Sequence, residues 1–261
     1  MTAERLASKC ELLRSLQLPG TPLVLPNAWD AATARAVVEA GFPVVATTSA
    51  GVAAALGHED HQDAPAAEKL AAAARIARAV DVPVTVDAEA GYGMDPGDLV
   101  AALGETGAAG CNLEDTDHAE EELRDPAQHA DWLRAVREAA SAADYELVVN
   151  ARIDVFIAAF HAGSNVSQDE LVDEALERAA AYAEAGVDSV YPIALWEADP
   201  LRRFIAGSPA PVNVLKVPPA PSIAELAELG AARISWGGLL QRGSMEHFAG
   251  LLASLADEPV G

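Results

Sequence analysis

The feature that most constrains the fold is an alternation of short apolar runs with longer helical patterns along the whole chain. The apolar runs are nearly continuous and rich in Val and Ile, which is typical of parallel strands buried on both faces. Eight of them are strand candidates: PLVLPNAW, VVATTS, VPVTVDAEA, AGCNLED, LVVNARID, SVYPIA, VNVLKV and ARISWGG. Eight strand–helix repeats predict an α/β fold of the closed (β/α)8 barrel type rather than an open, doubly wound sheet.

Other features of the sequence agree with a barrel. No Gly-x-Gly-x-x-Gly follows the first strand candidate, so the dinucleotide-binding fingerprint is absent. Several helical patterns end in a glycine just before the next strand, as a left-handed helix cap requires. The length of 261 residues suits one barrel, and we expect a single domain over residues 1–261 with an additional helix at each end.

Composition excludes several classes of function. The chain carries 40 acidic and 17 basic residues, a net charge of -23, which argues against nucleic acid and anionic membranes as partners. The first residues alternate charged and apolar side chains and predict an amphipathic helix, not a signal peptide, so we expect a cytoplasmic protein. The two cysteines, Cys10 and Cys111, have neither zinc-site nor disulfide-scaffold spacing.

Polar side chains gather where the predicted strands end. In a barrel these carboxyl ends form one mouth, which is where active sites lie. The residues are Asn27, Asp30, Ser49, Asp87, Glu89, Glu114, Asp115, Asn150, Arg152 and Asp154. We therefore expect side chains from five strands to converge there.

Four carboxylates from two neighbouring strands, at Asp87, Glu89, Glu114 and Asp115, would repel one another if nothing lay between them. A hard divalent cation would remove that cost, and oxygen ligands without nearby Cys or His suit Mg²⁺ or Mn²⁺. The alternative is that single acidic residues cap the following helices, which is a plain explanation for Asp115 or Asp30.

Two further features of the mouth have two interpretations each. Arg152 either pairs with one of the carboxylates or binds a substrate carboxylate with its guanidinium fork. The small residues Ser49, Ala50 and Gly51 either expose backbone N–H groups to an anion or simply suit a tight strand-to-helix turn. Asp60 lies just beyond, in a polar loop placed to fold over the mouth.

The segments LPNAWDAATARAVVEAGF, TTSAGVAAALGHED, VTVDAEAGYG, CNLED and VVNARIDVF together resemble the isocitrate lyase/phosphoenolpyruvate mutase superfamily. The resemblance implies a (β/α)8 barrel whose last helix is exchanged between subunits, in a homodimer or homotetramer. It implies Mg²⁺ held by Asp87, with Glu89 and Glu114 helping, partly through water.

The resemblance also implies roles for substrate. Ser49, Ala50 and Gly51 would bind the substrate carboxylate, Arg152 and Asn150 would contact substrate, and Asp60 would belong to the active-site loop. The family acts on 2-oxo and 2-hydroxy acids at the carbon next to the carbonyl. Positive charge from the metal and from Arg152 would stabilise the enolate that forms when this bond breaks.

The sequence departs from the family pattern in the loop after the LED motif. Here the loop reads TDHAEEELRDPAQHADW, with neither the cysteine of the isocitrate lyases nor the Lys and Asn of the phosphonate enzymes. Cys111 lies inside the preceding strand and is no substitute. His118 and Tyr92 remain as candidates for the acid, and the acidic side chains of this loop disfavour a phosphonate dianion.

The function predicted from these observations is a Mg²⁺-dependent carbon–carbon lyase. It would cleave or decarboxylate a small 2-oxo or 2-hydroxy acid, such as oxaloacetate, through a metal-stabilised enolate. One alternative is a phosphonomutase or phosphonopyruvate hydrolase acting on a C–P bond. Another is a barrel that binds a 2-oxo acid without turning it over.

Overall fold

A computed structural model describes residues 2–60 and 63–257 of the chain. The strands in this part are β1 (Leu23–Leu25), β2 (Asn27–Ala28), β3 (Val45–Thr47), β4 (Val84–Asp87), β5 (Gly110–Glu114), β6 (Thr116–Asp117), β7 (Glu122–Leu123), β8 (Val148–Ile153), β9 (Ser189–Pro192), β10 (Asn213–Leu215) and β11 (Arg233–Ser235). All eight predicted strand segments are confirmed.

Nine of these strands form two parallel sheets. One has the order β1-β11-β10, and the other has the order β2-β3-β4-β5-β8-β9. β1 and β2 form one path through the barrel, which is interrupted at Pro26 because proline has no N–H to donate to a neighbouring strand. At the other edge, an isolated parallel bridge joins Val190 of β9 to Val212, beside β10. These two links join the sheets into a ring of eight strand positions, as the predicted (β/α)8 fold requires.

The helices of the described chain follow the strands in turn. They are α1 (Ala3–Ser15), α2 (Ala31–Glu39), α3 (Ser49–Leu56), α4 (Ala66–Ala79), α5 (Pro96–Thr106), α6 (Pro126–Ala142), α7 (Val155–His161), α8 (Gln168–Glu184), α9 (Ala198–Gly207), α10 (Ile223–Glu228) and α11 (Leu239–Ala256). The additional helix expected at the amino-terminal end is α1, whereas α11 follows β11 and so takes the place of the eighth barrel helix rather than adding to it. None of the described helices has the length and apolarity needed to cross a bilayer.

The predicted helix ends are also found. The four glycines that precede strands, Gly41, Gly107, Gly186 and Gly230, all have φ between 82° and 94°, the left-handed region that ends a helix at low steric cost. Asp30 caps α2, with its side chain accepting the Thr33 N–H at 2.7 Å. Asp30 therefore has the capping role that was the simpler of its two interpretations.

The antiparallel hairpin of β6 and β7 was not predicted. It pairs Thr116 with Leu123 and Asp117 with Glu122, and its base is closed by the Arg124 N–H donating to the Asp115 carbonyl at 2.8 Å. The segment is polar and lacks the apolar alternation by which strands are recognised. It projects from the carboxyl end of β5, so it forms one wall of the barrel mouth.

Candidate active site

Asp87, the last residue of β4, is held from two sides. Its backbone N–H donates to Thr47 Oγ1 at 2.8 Å, and its Oδ2 accepts the Ser49 N–H at 3.0 Å. Its other oxygen, Oδ1, is buried and has no hydrogen-bond partner. A buried carboxylate oxygen without a partner is costly, and Asp87 Oδ1 finds none among the described residues, which makes it suited to bind a ligand.

The small residues Ser49, Ala50 and Gly51 form the first turn of α3, behind the cap residue Thr48. Their N–H groups have no acceptor within the helix, and that of Ser49 is used by Asp87. A Cβ at Gly51 would lie 2.6 Å from Thr48 Cγ2 and 3.1 Å from Trp29 Cβ. Packing alone therefore requires glycine at 51, which is the plainer of the two interpretations for that residue.

The chain leaves Asp87 through a strained turn. Glu89 and Tyr92 have φ of 49° and 56°, in the left-handed region where non-glycine residues are uncommon. Gly91, between them, has φ 82°, and a Cβ there would lie 2.7 Å from the Trp132 ring. Such strain clusters at functional sites, where surrounding contacts hold it in place. Here the turn brings the Tyr92 hydroxyl to 3.4 Å from the Asp87 carbonyl, to which it donates.

The Glu89 side chain forms an ion pair with a lysine of the chain. Lys69 Nζ on α4 donates to Glu89 Oε2 at 2.6 Å, and both side chains are almost fully buried. Lys69 was not among the residues predicted for the site. A signal for it exists in the sequence, because Lys69 shares one face of α4 with Ala72, Ala73 and Ile76, which are buried.

Arg152, at the end of β8, is fully engaged with carboxylates. Its Nε and Nη2 bind the two oxygens of Asp154 at 2.6 and 2.9 Å, and its Nη1 lies 2.5 Å from Glu114 Oε2. The guanidinium fork is thus directed at Asp154, as the first of the two interpretations of Arg152 has it, and contact with a substrate carboxylate stays a prediction. Arg152 faces the cavity as a fixed positive charge rather than as a free fork.

Glu114 and His118 form a hydrogen-bonded pair at the mouth, His118 Nε2 to Glu114 Oε1. Burial raises the pKa of Glu114 to about 7; Arg152 opposes the rise, and Asp154 adds to it. Burial lowers the pKa of His118, but the hydrogen bond and charge of Glu114 outweigh this and raise it. The pair therefore holds a transferable proton near neutral pH.

Arg152 and Tyr92 keep fixed protonation states. Burial acts to lower the pKa of Arg152, but the charges of Asp154 and Glu114 prevail and raise it. The pKa of Tyr92 is raised well above its usual value by burial and by the charges of Glu89, Asp87 and Glu114. Arg152 is therefore a permanent cation, and Tyr92 remains a neutral donor.

Asp115 belongs to a buried network behind the mouth. It accepts from Arg178 Nη1 at 3.0 Å, from the Tyr182 hydroxyl at 2.6 Å and from the Asp154 N–H at 2.8 Å. Asp115 is thus neither a helix cap nor a residue facing the cavity. It connects helix α8 to Asp154, and so positions the carboxylate that holds Arg152.

These contacts correct one premise of the sequence argument. The four carboxylates were expected to need a metal because no cation was assigned to them. The structure places Lys69 at Glu89, Arg152 at Glu114 and Arg178 at Asp115. Within the described residues, Asp87 alone of the four has no cation within ion-pair distance.

Of two further predicted residues, Asn150 lies differently from the expectation and Asp60 is not tested. Asn150 is completely buried; its Nδ2 donates to Asn112 Oδ1 at 2.9 Å, and its Oδ1 accepts from Ser189 Oγ at 2.7 Å. It ties β5, β8 and β9 together inside the barrel, which differs from the expected contact with substrate. Asp60 lies in the loop before α4, next to two residues outside the described part of the chain, and its role stays a prediction.

A cavity of about 460 Å³ opens beside this site, lined by Arg152, Asp154 and His118 but not by Asp87 or Glu89. Its other lining residues are Thr116, Glu121, Glu122 and Leu123 of the hairpin segment and Ile157, Ala158, His161 and Ala162 of α7 and its carboxyl end. Charged groups therefore meet an apolar wall in a space large enough for a small organic acid.

The donor set around Asp87 fits a hard cation bound with few protein ligands. Its unpartnered Oδ1 is suited to be a direct ligand, whereas Glu89 and Glu114 are occupied by Lys69 and Arg152. Within the described residues, no cluster of three or more His, Cys, Asp or Glu side chains has the geometry of a metal cage. Mg²⁺ commonly binds through one or two carboxylates plus water and substrate oxygens.

The fold and the site together define a parallel α/β barrel with a polar, partly buried site at the carboxyl ends of its strands. A family model described as phosphoenolpyruvate phosphomutase matches residues 13–256. The chain belongs to this family, within the isocitrate lyase/phosphoenolpyruvate mutase superfamily, as the sequence motifs predicted.

Curated relatives agree with this membership. An uncharacterised protein of Mycobacterium tuberculosis is 36% identical over 90% of this chain and 83% of its own length. A probable 2-methylisocitrate lyase of Corynebacterium glutamicum is 34% identical over 72% of this chain and 60% of its own. An oxaloacetate decarboxylase of Rhodopseudomonas palustris is 30% identical over 83% of this chain and 73% of its own.

A solved structure is also similar. The crystal structure of a putative phosphonomutase from Burkholderia cenocepacia superposes with a TM-score of 0.87 and 41% identity, covering 94% of this chain and 99% of that one. The superfamily to which this chain belongs thus includes lyases, a decarboxylase and phosphonomutases.

Proposed function

We propose that this chain is a Mg²⁺-dependent lyase that decarboxylates or cleaves a small 2-oxo or 2-hydroxy acid of the oxaloacetate type. The observation that carries the proposal is Asp87, which the Ser49 N–H orients so that its second carboxylate oxygen is buried without a partner. Mn²⁺ is the natural substitute because it prefers the same oxygen ligands.

Asp87 would hold the divalent cation, which would supply positive charge to stabilise the enolate of the substrate. Arg152 adds a permanent positive charge from the inner wall of the cavity, held in place by Asp154. The N–H groups of Ala50 and Gly51, in the first turn of α3, are suited to bind the substrate carboxylate. Together these groups reverse the sign of an otherwise acidic mouth.

The bond-breaking step needs little from the hairpin segment. In decarboxylation, the carbon–carbon bond breaks, CO2 leaves, and the electron pair forms an enolate. The Glu114–His118 pair, with a pKa of Glu114 of about 7, is placed to return a proton to the enolate carbon. Tyr92, a neutral donor beside Asp87, is the second candidate for this proton.

The test is turnover of oxaloacetate with and without Mg²⁺. Pyruvate formation above the rate given by Mg²⁺ alone, abolished in Asp87→Asn, supports the proposal. Glu105→Gln, an exposed change near the carboxyl end of α5 and away from the mouth, is the matched control and keeps wild-type turnover. Wild-type activity in Asp87→Asn contradicts the metal assignment.

A phosphonomutase or phosphonopyruvate hydrolase is the second candidate, favoured by the 41% identity to the Burkholderia cenocepacia structure. Against it, Glu120, Glu121 and Glu122 are exposed on the hairpin turn and on β7, where they repel a phosphonate dianion. Phosphonopyruvate offered in the same assay separates the two, because only a C–P enzyme releases phosphate or forms the phosphate ester. Binding of oxaloacetate without product from any substrate would instead indicate a binding barrel.

A further inference from the structure

Lys69 is an unusual residue for the place it occupies. It lies in the first turns of α4, on the face that also carries Ala72, Ala73, Ile76 and Ala77, all of which pack into the barrel. Its relative exposure is 4%. A buried ammonium group between a helix and the barrel keeps its charge only when a carboxylate compensates it.

The compensating carboxylate is Glu89, two residues after Asp87. Lys69 Nζ lies 2.6 Å from Glu89 Oε2, and Glu89 has a relative exposure of 2%. The Glu89 backbone reaches the same centre, because its carbonyl accepts the Glu114 N–H at 3.0 Å. The ion pair thus joins a helix on the outside of the barrel to the carboxylates at its mouth.

This pair changes the electrostatics of the proposed metal position. Lys69 compensates the charge of Glu89, and Arg152 shares its single positive charge between Glu114 and Asp154, whereas Asp87 has no ion-pair partner within the described residues. Lys69 therefore removes one negative charge from the field that a divalent ion beside Asp87 would meet. The sequence alone suggests a much more strongly attracting site.

We propose that Lys69 is a positioning residue of the metal site. It compensates the charge of Glu89, so that this carboxylate serves as a hydrogen-bond partner for metal-bound water, and the divalent ion stays weakly held and exchangeable. The inference rests on the proposed function, since it assumes a divalent ion at Asp87. It assigns to Lys69 control over metal affinity rather than contact with substrate.

The charge balance predicts the sign of each change. Lys69→Met leaves the buried Glu89 carboxylate uncompensated, so a nearby dication binds about tenfold more tightly or better. Glu89→Gln leaves the buried ammonium uncompensated, so the same ion binds about tenfold more weakly or worse. The double variant removes a neutral pair, so its affinity stays within about threefold of wild type. Replacing both members of a buried pair is also the change that folds most readily.

The experiment is a Mn²⁺ titration of the full-length chain and these three variants, followed by the electron paramagnetic resonance of free Mn²⁺ and by calorimetry. Far-ultraviolet circular dichroism confirms that each variant is folded. A merely structural pair would change the melting temperature but not the dissociation constant for Mn²⁺. We expect the dissociation constant for Mn²⁺ to fall in Lys69→Met, to rise in Glu89→Gln and to stay close to the wild-type value in the double variant.

Two results overturn the inference. One is a folded Lys69→Met that does not bind Mn²⁺ more tightly than wild type. The other is a double variant that binds at least ten times more weakly than wild type, which would make Glu89 a ligand. If Lys69→Met does not fold, Glu89→Gln is compared with the double variant. The inference then requires the double variant to bind Mn²⁺ more tightly than Glu89→Gln, and equal affinities overturn it.

Failure of the inference can be distinguished from failure of the proposed function. Wild-type protein that shows no Mn²⁺ binding sensitive to Asp87→Asn contradicts the metal site itself. Binding that depends on Asp87 but is indifferent to the Lys69–Glu89 cycle contradicts only the role of Lys69.

Discussion

At the scale of single residues, the chemistry of the mouth depends on how each charge is partnered. Arg152 illustrates this, because its sequence position suggested two roles and the structure shows the guanidinium occupied by Asp154 and Glu114. Its positive charge is available to a ligand in the cavity, whereas its planar fork is not. We therefore expect Arg152 to act on a ligand through its charge.

Arg152→Lys keeps the charge but loses the two-point contact with Asp154. We expect kcat/KM to fall about a hundredfold because the charge is no longer fixed in position. The free energy of unfolding should fall by about 2 kcal/mol, because a buried carboxylate loses hydrogen bonds to a cation. Steady-state kinetics and urea unfolding measure the two effects. Arg202→Lys, at an exposed pair with Asp199, is the control and should change neither.

His129 provides a residue-scale prediction away from the mouth. It is 1% exposed, it stacks on Trp132 with ring centroids 5.6 Å apart, and neither ring nitrogen has a hydrogen-bond partner. Burial lowers its pKa to about 3, with Arg124 and Arg178 adding to the effect. The folded chain therefore binds fewer protons at His129 than the unfolded chain between pH 6.5 and 3.

This difference in proton binding determines how the free energy of unfolding changes with pH. The contribution of His129 to stability is present above pH 6.5 and is lost as the pH falls, at about 1.4 kcal/mol per pH unit. At pH 5 the loss is about 2 kcal/mol relative to pH 7.5. His129→Phe should remove this slope, as measured by chemical unfolding from pH 4.5 to 7.5, whereas His247→Gln on the exposed α11 should keep it. Equal slopes in wild type and His129→Phe would contradict the prediction.

The partners of the charged residues are what the sequence could not supply at this scale. Asp87, Glu114 and Arg152 were recognisable because each ends a strand, and strand ends meet at the mouth. Lys69 and Arg178 lie on helices, and which strand residue they meet depends on how those helices pack. The pairs Lys69–Glu89 and Arg178–Asp115 are therefore determined by tertiary structure and have no local sequence signature.

At the scale of elements, strands and helix ends were predictable because their signals are local. Apolar runs gave the eight strand segments, and glycines marked the helix ends. The β6–β7 hairpin was missed because its residues are charged and its pairs are few. The first strand was predicted as one segment, PLVLPNAW, and the structure divides it at Pro26 into β1 and β2, which pair with different sheets.

The turn after β4 supports an element-scale prediction. Gly91 and Gly93 both have positive φ, at 82° and 66°, but a Cβ at Gly91 would collide with the Trp132 ring, whereas one at Gly93 would meet nothing within 4 Å. Alanine at either position costs about 1 kcal/mol for the backbone conformation. Gly91→Ala should cost about 2 kcal/mol more than Gly93→Ala, because overpacking adds to it. Urea unfolding of the two variants measures the difference. An equal fall in the free energy of unfolding would show that the Trp132 ring moves aside without cost.

At the scale of the whole molecule, α11 stands apart. None of its described side chains is buried, and Phe248, Leu251, Leu252 and Leu255 are between 49% and 63% exposed. Their spacing puts them on one face of the helix. An apolar stripe of this kind on an otherwise strongly acidic chain is typical of a surface covered by another subunit.

We therefore expect the homodimer or homotetramer that the family resemblance implies, with α11 at the contact. Sedimentation velocity should show a species larger than the 27.0 kDa chain. Leu251→Asp combined with Leu255→Asp should reduce it to the monomer, and the exposed Glu246→Gln should leave it unchanged. A wild-type monomer at micromolar concentration would contradict this expectation.

The two links that complete the barrel are both thin, and they flank the same three strands. On one side the first strand path is interrupted at Pro26, and on the other a lone bridge connects Val190 to Val212. The section between these seams, β10-β11-β1, is the part of the wall from which α11 extends. A subunit bound to α11 would thus act on the section of the barrel wall that lies between these two links, so the subunit contact and the closure of the barrel meet in the same three strands.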